Sequence, residues 1–176
     1  MMAIPMSSIS RNRGYHKALL VATAFAIAGV ISALIATPHP ALLLFYVTIA
    51  INTYYSVMFF APLTPHEHAE QHLIDTVLAI WYVLMAATLS DPYSFTLFST
   101  ALFLTAVLKY EFLRLVLAHG EMLTRKIMID IGGAALSAAA FAGVVFADVN
   151  LSVWAFAVVF VIANIYLLYV KPMYRI

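Results

Sequence analysis

The chain has 176 residues, of which 65% are apolar, 14% aromatic and 10% charged, against about 45–50% apolar and about 25% charged in a soluble domain. A soluble core cannot bury that excess, so the chain needs an apolar solvent; disorder, collagen-like repetition and a disulfide scaffold are excluded by the same figures. The lack of cysteine removes disulfides, thiolate metal sites and cysteine nucleophiles, and a formal net charge of +1 is too small to imply a nucleic-acid surface.

Six apolar runs follow one another, at about 18–36, 41–61, 71–90, 94–117, 127–147 and 151–170. Each has the roughly 17–25 residues that cross about 30 Å of hydrocarbon as a helix. They are too long for barrel strands and lack the alternation of lumen-facing and lipid-facing residues. Helices, which satisfy their own backbone groups, are the remaining solution in lipid. The expectation is an all-α polytopic membrane protein: a six-transmembrane-helix bundle of three consecutive hairpins in a single domain over 1–176, with 1–16 as a cytoplasmic segment.

Arg11, Arg13 and Lys17 precede the first run, as in a signal peptide. The run is longer than a usual signal core, and Leu34 stands where cleavage after Ala36 would need a small residue, so a retained span is expected. Thr37-Pro38-His39-Pro40 ends it. The second run carries Asn52 at its middle, in the polar stretch Asn52-Thr53-Tyr54-Tyr55-Ser56. Such a stretch either lines a pathway or bonds between helices.

The connection after Pro62 holds Thr64-Pro65-His66-Glu67, the pattern of a capping box with proline at the first helical position. A helix begun there places His68, His72 and Asp75 at i, i+4 and i+7 on one face, with His66, Glu67 and Glu70 nearby and His119 and Glu121 on the other long connection. Two histidines four apart with a carboxylate one turn on have the spacing to bind a divalent metal ion, the one cofactor to which the chain points, and an open fourth position would suit hydrolytic or oxidative chemistry. The same residues also read as a solvated helix start, with acids at the positive end of the dipole, or as a pH-sensing cluster.

Ser90-Asp91-Pro92-Tyr93 separates the third and fourth runs. Lys109, in the fourth, lies about nine residues from the cytoplasmic end, roughly 13 Å deep at 1.5 Å per residue. A central lysine costs about 2.5–3.5 kcal/mol to insert, so it either meets protein or water, or snorkels to the headgroups. Asp75 and Asp130, on the third and fifth runs, are the partners expected for it; such a group either exchanges a proton in a transport cycle or is a static ion pair. Glu111 and Arg114, three apart, can pair with each other.

The fifth run contains Gly132-Gly133-Ala134-Ala135, then Ser137, Ala138, Ala139, Ala140, Ala142 and Gly143. Small residues four apart let helix backbones approach closely, which predicts a central position or an oligomer contact. Asp148-Val149-Asn150 leads into the sixth run, which carries Asn164.

All nine basic residues fall on one side of a six-span arrangement, and the turns near residues 38, 91 and 149 carry none. The positive-inside rule then puts both termini in the cytoplasm of a plasma-membrane protein. Asn52, Lys109 and Asn164 recur 57 and 55 residues apart, each followed within two residues by a tyrosine (Tyr54, Tyr110, Tyr166). This is the pattern either of a parallel threefold repeat about the membrane normal or simply of three similar hairpins. No nucleophile elbow, phosphate-cradling loop, dinucleotide fingerprint, arginine series or selectivity-filter motif occurs. Three functions follow: a small transporter or channel using Lys109, Asp75 and Asp130 with Asn52 and Asn164; a non-catalytic subunit of a larger membrane complex; or a metal-dependent membrane enzyme on His66, His68, His72 and Asp75. Its partners would be the lipid bilayer and either further copies of itself or other membrane subunits, with no nucleic acid.

Overall fold

A computed structural model describes residues 8–64, 69–117 and 120–173, with side chains from Gly14 onward. Six α-helices succeed one another without a strand among these residues: α1 (Ser8–Ile35), α2 (Pro40–Phe60), α3 (Ala69–Ala87), α4 (Pro92–Val116), α5 (Gly120–Phe146) and α6 (Val149–Ile165), which continues as a π-helical turn over Tyr166–Val170. Five of them, counting α1 from Gly14 and α6 with its extension, are long and apolar enough to cross a membrane, as a membrane protein requires. The apolar runs predict six spans, and the sixth, α3, is not among these five. α3 is excepted because Glu70, Gln71, His72 and Asp75 crowd its first two turns.

The turn residues act as N-caps of the helices that follow them. Asp91 and Asp148 accept hydrogen bonds from the backbone N–H groups of Tyr93 and Leu151, and His39 Nδ1 accepts from Ala41 N–H at 3.3 Å. Each bond satisfies one of the four donors that a helix start leaves open, and Pro40 and Pro92 stand where no donor is needed. The three turns meet at one end of the bundle. His39 N–H donates to the Leu89 carbonyl at 2.8 Å, and the His39 imidazole bonds Asn150 Oδ1 at 3.0 Å.

Of the capping box expected before α3, only Thr64 is among the described residues. The Thr64 hydroxyl donates back to the Phe60 carbonyl at 2.9 Å, and residues 61–64 are a turn rather than helix; Pro65 and Glu67 lie outside the described residues.

The helices pack in the cyclic order α1, α2, α6, α5, α4, α3. A threefold repeat of hairpins would bring α2 against α3 and α6 against α1. The close packings are instead α2 on α6 and α1 on α3, so the spacing of Asn52, Lys109 and Asn164 reflects three similar hairpin lengths. The three tyrosines confirm the inequivalence: Tyr110 is buried, Tyr54 half-buried and Tyr166 exposed.

Close backbone approach occurs where glycine permits it. A Cβ on Gly14 would lie 2.7 Å from the Met58 carbonyl oxygen, where α1 meets the end of α2. One on Gly133 would lie 2.6 Å from the Phe103 ring, where α5 meets α4. Of the small residues on α5, Ala134, Ser137 and Ala140 are buried, while Ala135, Ala138, Ala139 and Ala142 face outward.

The core has two parts. Toward the turns, Phe45 stacks on Phe156 with centroids 4.2 Å apart and meets Phe95 edge-on, and all three are fully buried. Toward the other end, Phe59, Phe60, Leu113, Leu123, Ile127 and Met173 form a second cluster.

Candidate functional site

Between the two clusters lies a cavity of about 310 Å³, bordered by α1 to α5. Its polar walls are formed by Lys17, Asn52, Ser56, Gln71, His72, Asp75, Lys109, Tyr110, Lys126 and Asp130. These side chains converge because each helix carries them at the same axial level, α2 and α4 before their C-termini and α3 and α5 just after their N-termini.

Lys109 Nζ lies 2.7 Å from Asp75 Oδ1. The ammonium therefore points across to α3 rather than out to the bilayer surface, and its side chain is 15% exposed against 46% for Asp75. Gln71 Nε2 donates to the same carboxylate oxygen at 3.1 Å, so Asp75 is held by one charged and one neutral donor.

Asp130 borders the same cavity, but the lysine bonded to it is a different one. Its Oδ1 accepts from Lys126 Nζ at 2.5 Å, one turn earlier on α5, with side chains 7% and 3% exposed. Lys126 had been assigned to the connection before the fifth run. α5 begins at Gly120, however, so Lys126 is already helical and faces inward. The signal was present in the sequence as an i, i+4 lysine–aspartate spacing, the register at which such pairs meet. Two ion pairs therefore border the cavity, one between α3 and α4 and one within α5.

The pairs are joined by aromatic and hydroxyl groups. Lys126 Nζ stands 5.0 Å from the centroid of the Tyr110 ring and Lys109 Nζ 6.0 Å from it. The Tyr110 hydroxyl bonds Ser56 Oγ at 2.7 Å, and Thr53 bonds the Tyr82 hydroxyl. Gln71 and Tyr82 carried no distinguishing signal in the sequence, whereas Ser56 belongs to the polar stretch of the second run and Tyr110 follows Lys109; the bond between these two shows only in the fold.

Of the remaining predicted site residues, Asn52 borders the cavity and is half-buried. Asn164 is buried but does not border it; its amide donates to the Phe160 carbonyl one turn back, at 2.9 Å. Glu111 and Arg114 pair at 2.7 Å away from the cavity, both well exposed. His66 and His68 lie outside the described residues, and so does His119. His72 and Asp75 both border the cavity, and among the described residues no group of three histidine, aspartate or glutamate side chains has the placement to hold a metal ion.

Chemically, the site is a chamber bordered by two lysine–aspartate pairs and by apolar walls made by Phe25, Leu78, Leu102 and Phe103, with room for a small guest. Comparison of the chain with protein families, curated proteins and solved structures found no match in any of the three.

Proposed function

We propose that the protein is a plasma-membrane transporter or channel of six spans, with both termini cytoplasmic, that moves a small solute through this cavity in exchange with or alongside protons. The observation that carries the reading is the pair of lysine–aspartate bridges bordering a cavity in an otherwise apolar bundle. Charges at such depth are costly, and they concentrate at ion and substrate pathways.

A spanning α3 is supported by its length and its place. Its 19 residues rise about 28 Å at 1.5 Å each, close to the hydrocarbon thickness of about 30 Å. Its end is tied to the α1–α2 turn through Leu89 and His39. Its polar first turns then fall at the level of Lys17, Lys109 and Lys126, the end that the positive-inside rule assigns to the cytoplasm.

The ion pairs suit proton handling. Asp130 Oδ1 is committed to Lys126, while Oδ2 has no hydrogen-bond partner among the described residues. A proton added at Oδ2 neutralises the carboxylate, and the Tyr110 face still lies 5.0 Å from the Lys126 ammonium. Cation–π attraction of about 2 kcal/mol in a desolvated site limits the cost of that intermediate. Loss of the proton restores the ion pair.

The test uses vesicles reconstituted with the full chain, loaded with a pH-sensitive dye and driven by a potassium diffusion potential. Protein-containing vesicles should acidify faster than empty ones, and Lys109→Met should abolish the difference while inserting normally. Equal flux from Lys109→Met and the unaltered protein would end the reading.

A further inference from the structure

The cavity discriminates among guests by charge and by hydrogen-bond polarity. Its interior charges cancel, Lys109 with Asp75 and Lys126 with Asp130, and the remaining bordering lysine, Lys17, is exposed at the rim. A cationic guest would bring a second, uncompensated positive charge between two ammonium groups. An anionic guest would have to compete with Asp75 or Asp130 for a lysine already bonded at 2.7 or 2.5 Å. Either exchange exposes a charge in low dielectric, which is the expensive outcome.

Gln71 Oε1 and Asp130 Oδ2 are buried acceptors without a partner among the described residues, and both side chains, each 2% exposed, border the cavity. The Gln71 amide is oriented by its neighbour: Asp75 Oδ1 can only accept, so Nε2 must face it and Oε1 must face away. A buried acceptor left open costs about 1–3 kcal/mol, which a donating guest recovers. Part of the lining is apolar, with the Phe25 and Tyr82 rings stacked 4.0 Å apart along one side.

We infer that the cavity takes an uncharged amphiphile whose polar head donates hydrogen bonds, such as a hydroxyl or a primary carboxamide, to Gln71 Oε1 and Asp130 Oδ2, with its apolar body against Phe25, Leu78 and Phe103. This rests on the proposed transport reading and gives its solute a chemical class. Such a guest could arrive from the bilayer or from water, and the test separates the two.

The full chain in lipid nanodiscs would be photolabelled with three diazirine-bearing octyl probes that differ only in the head: alcohol, ammonium and carboxylate. Adducts would be located by mass spectrometry and competed with unlabelled octanol or glycerol. The alcohol should label the cavity-bordering stretches of α3 and α5 saturably, octanol should compete, and the two charged probes should not label there. Gln71→Leu, which removes one acceptor and the amide bond to Asp75 but none of the four charged groups, should weaken the alcohol about 5–10-fold, the value of one hydrogen bond. Stronger cavity labelling by the ammonium or the carboxylate would overturn the assignment of charge, and competition by glycerol as effective as by octanol would overturn the amphiphile in favour of a water-borne solute. In both cases the proton-flux experiment stands independently. Absence of competed cavity labelling from all three probes would overturn the site itself.

Discussion

The two ends of the bundle solve opposite problems with the same helices. Toward the turns, α2, α4 and α6 present Phe45, Phe95 and Phe156, which interlock with essentially no exposed surface. Toward the basic end, α2 and α4 present Asn52, Ser56, Lys109 and Tyr110, and the bundle holds a cavity of about 310 Å³. The difference teaches why the cavity persists. Rings have no directional needs and close on one another until voids disappear. Paired charges and hydroxyls must keep specific partners at specific distances, and lengthening an ion pair to close a void would cost more than the void itself.

The largest effect should come from breaking the buried pair. Lys126→Ala leaves Asp130 charged and alone at 3% exposure, and should cost about 3–5 kcal/mol in detergent-induced unfolding followed by circular dichroism. Replacing both residues with apolar ones, Lys126→Met with Asp130→Leu, should recover most of that loss. A single substitution as mild as the double one would mean that the polar end is not held by this pair.

Phe45→Ala tests the other end. Truncating a buried Phe costs about 3–5 kcal/mol in soluble cores, but lipid chains solvate the ring nearly as well as its neighbours do. The loss here should therefore be smaller than that of Lys126→Ala in the same unfolding measurement. A reversed order would show that the aromatic end, not the charged one, dominates stability.

Asp75→Asn should have a still smaller effect, about 1 kcal/mol, because the carboxylate is 46% exposed and pairs of that kind contribute little. His39→Ala should cost about 0.5–1 kcal/mol through the lost cap of α2, with His39→Asn restoring it. Thermal unfolding in nanodiscs would resolve the pair, and a His39→Asn variant as weak as His39→Ala would assign the effect to the Asn150 bond instead.

The amino-acid sequence by itself determined the elements. Apolar length, with Pro, Asp and Asn at the breaks, marks six helices and their turns, since backbone satisfaction in an apolar solvent is a local requirement. It also marked Lys109, Asp75 and Asp130 as charges that need company. Even α3 was legible as an element, although its polar first turns set it apart from the five clear candidates for spanning. The sequence did not carry the choice among partners. Asp130 met Lys126 rather than Lys109 because α5 starts seven residues before the apolar run, bringing an i, i+4 neighbour inward. The regular spacing of Asn52, Lys109 and Asn164 dissolved because the helices close in the order α1, α2, α6, α5, α4, α3. Which residues share a cavity depends on how whole helix faces fit around one another, a sum over many contacts distant in the chain, and only the folded bundle performs that sum.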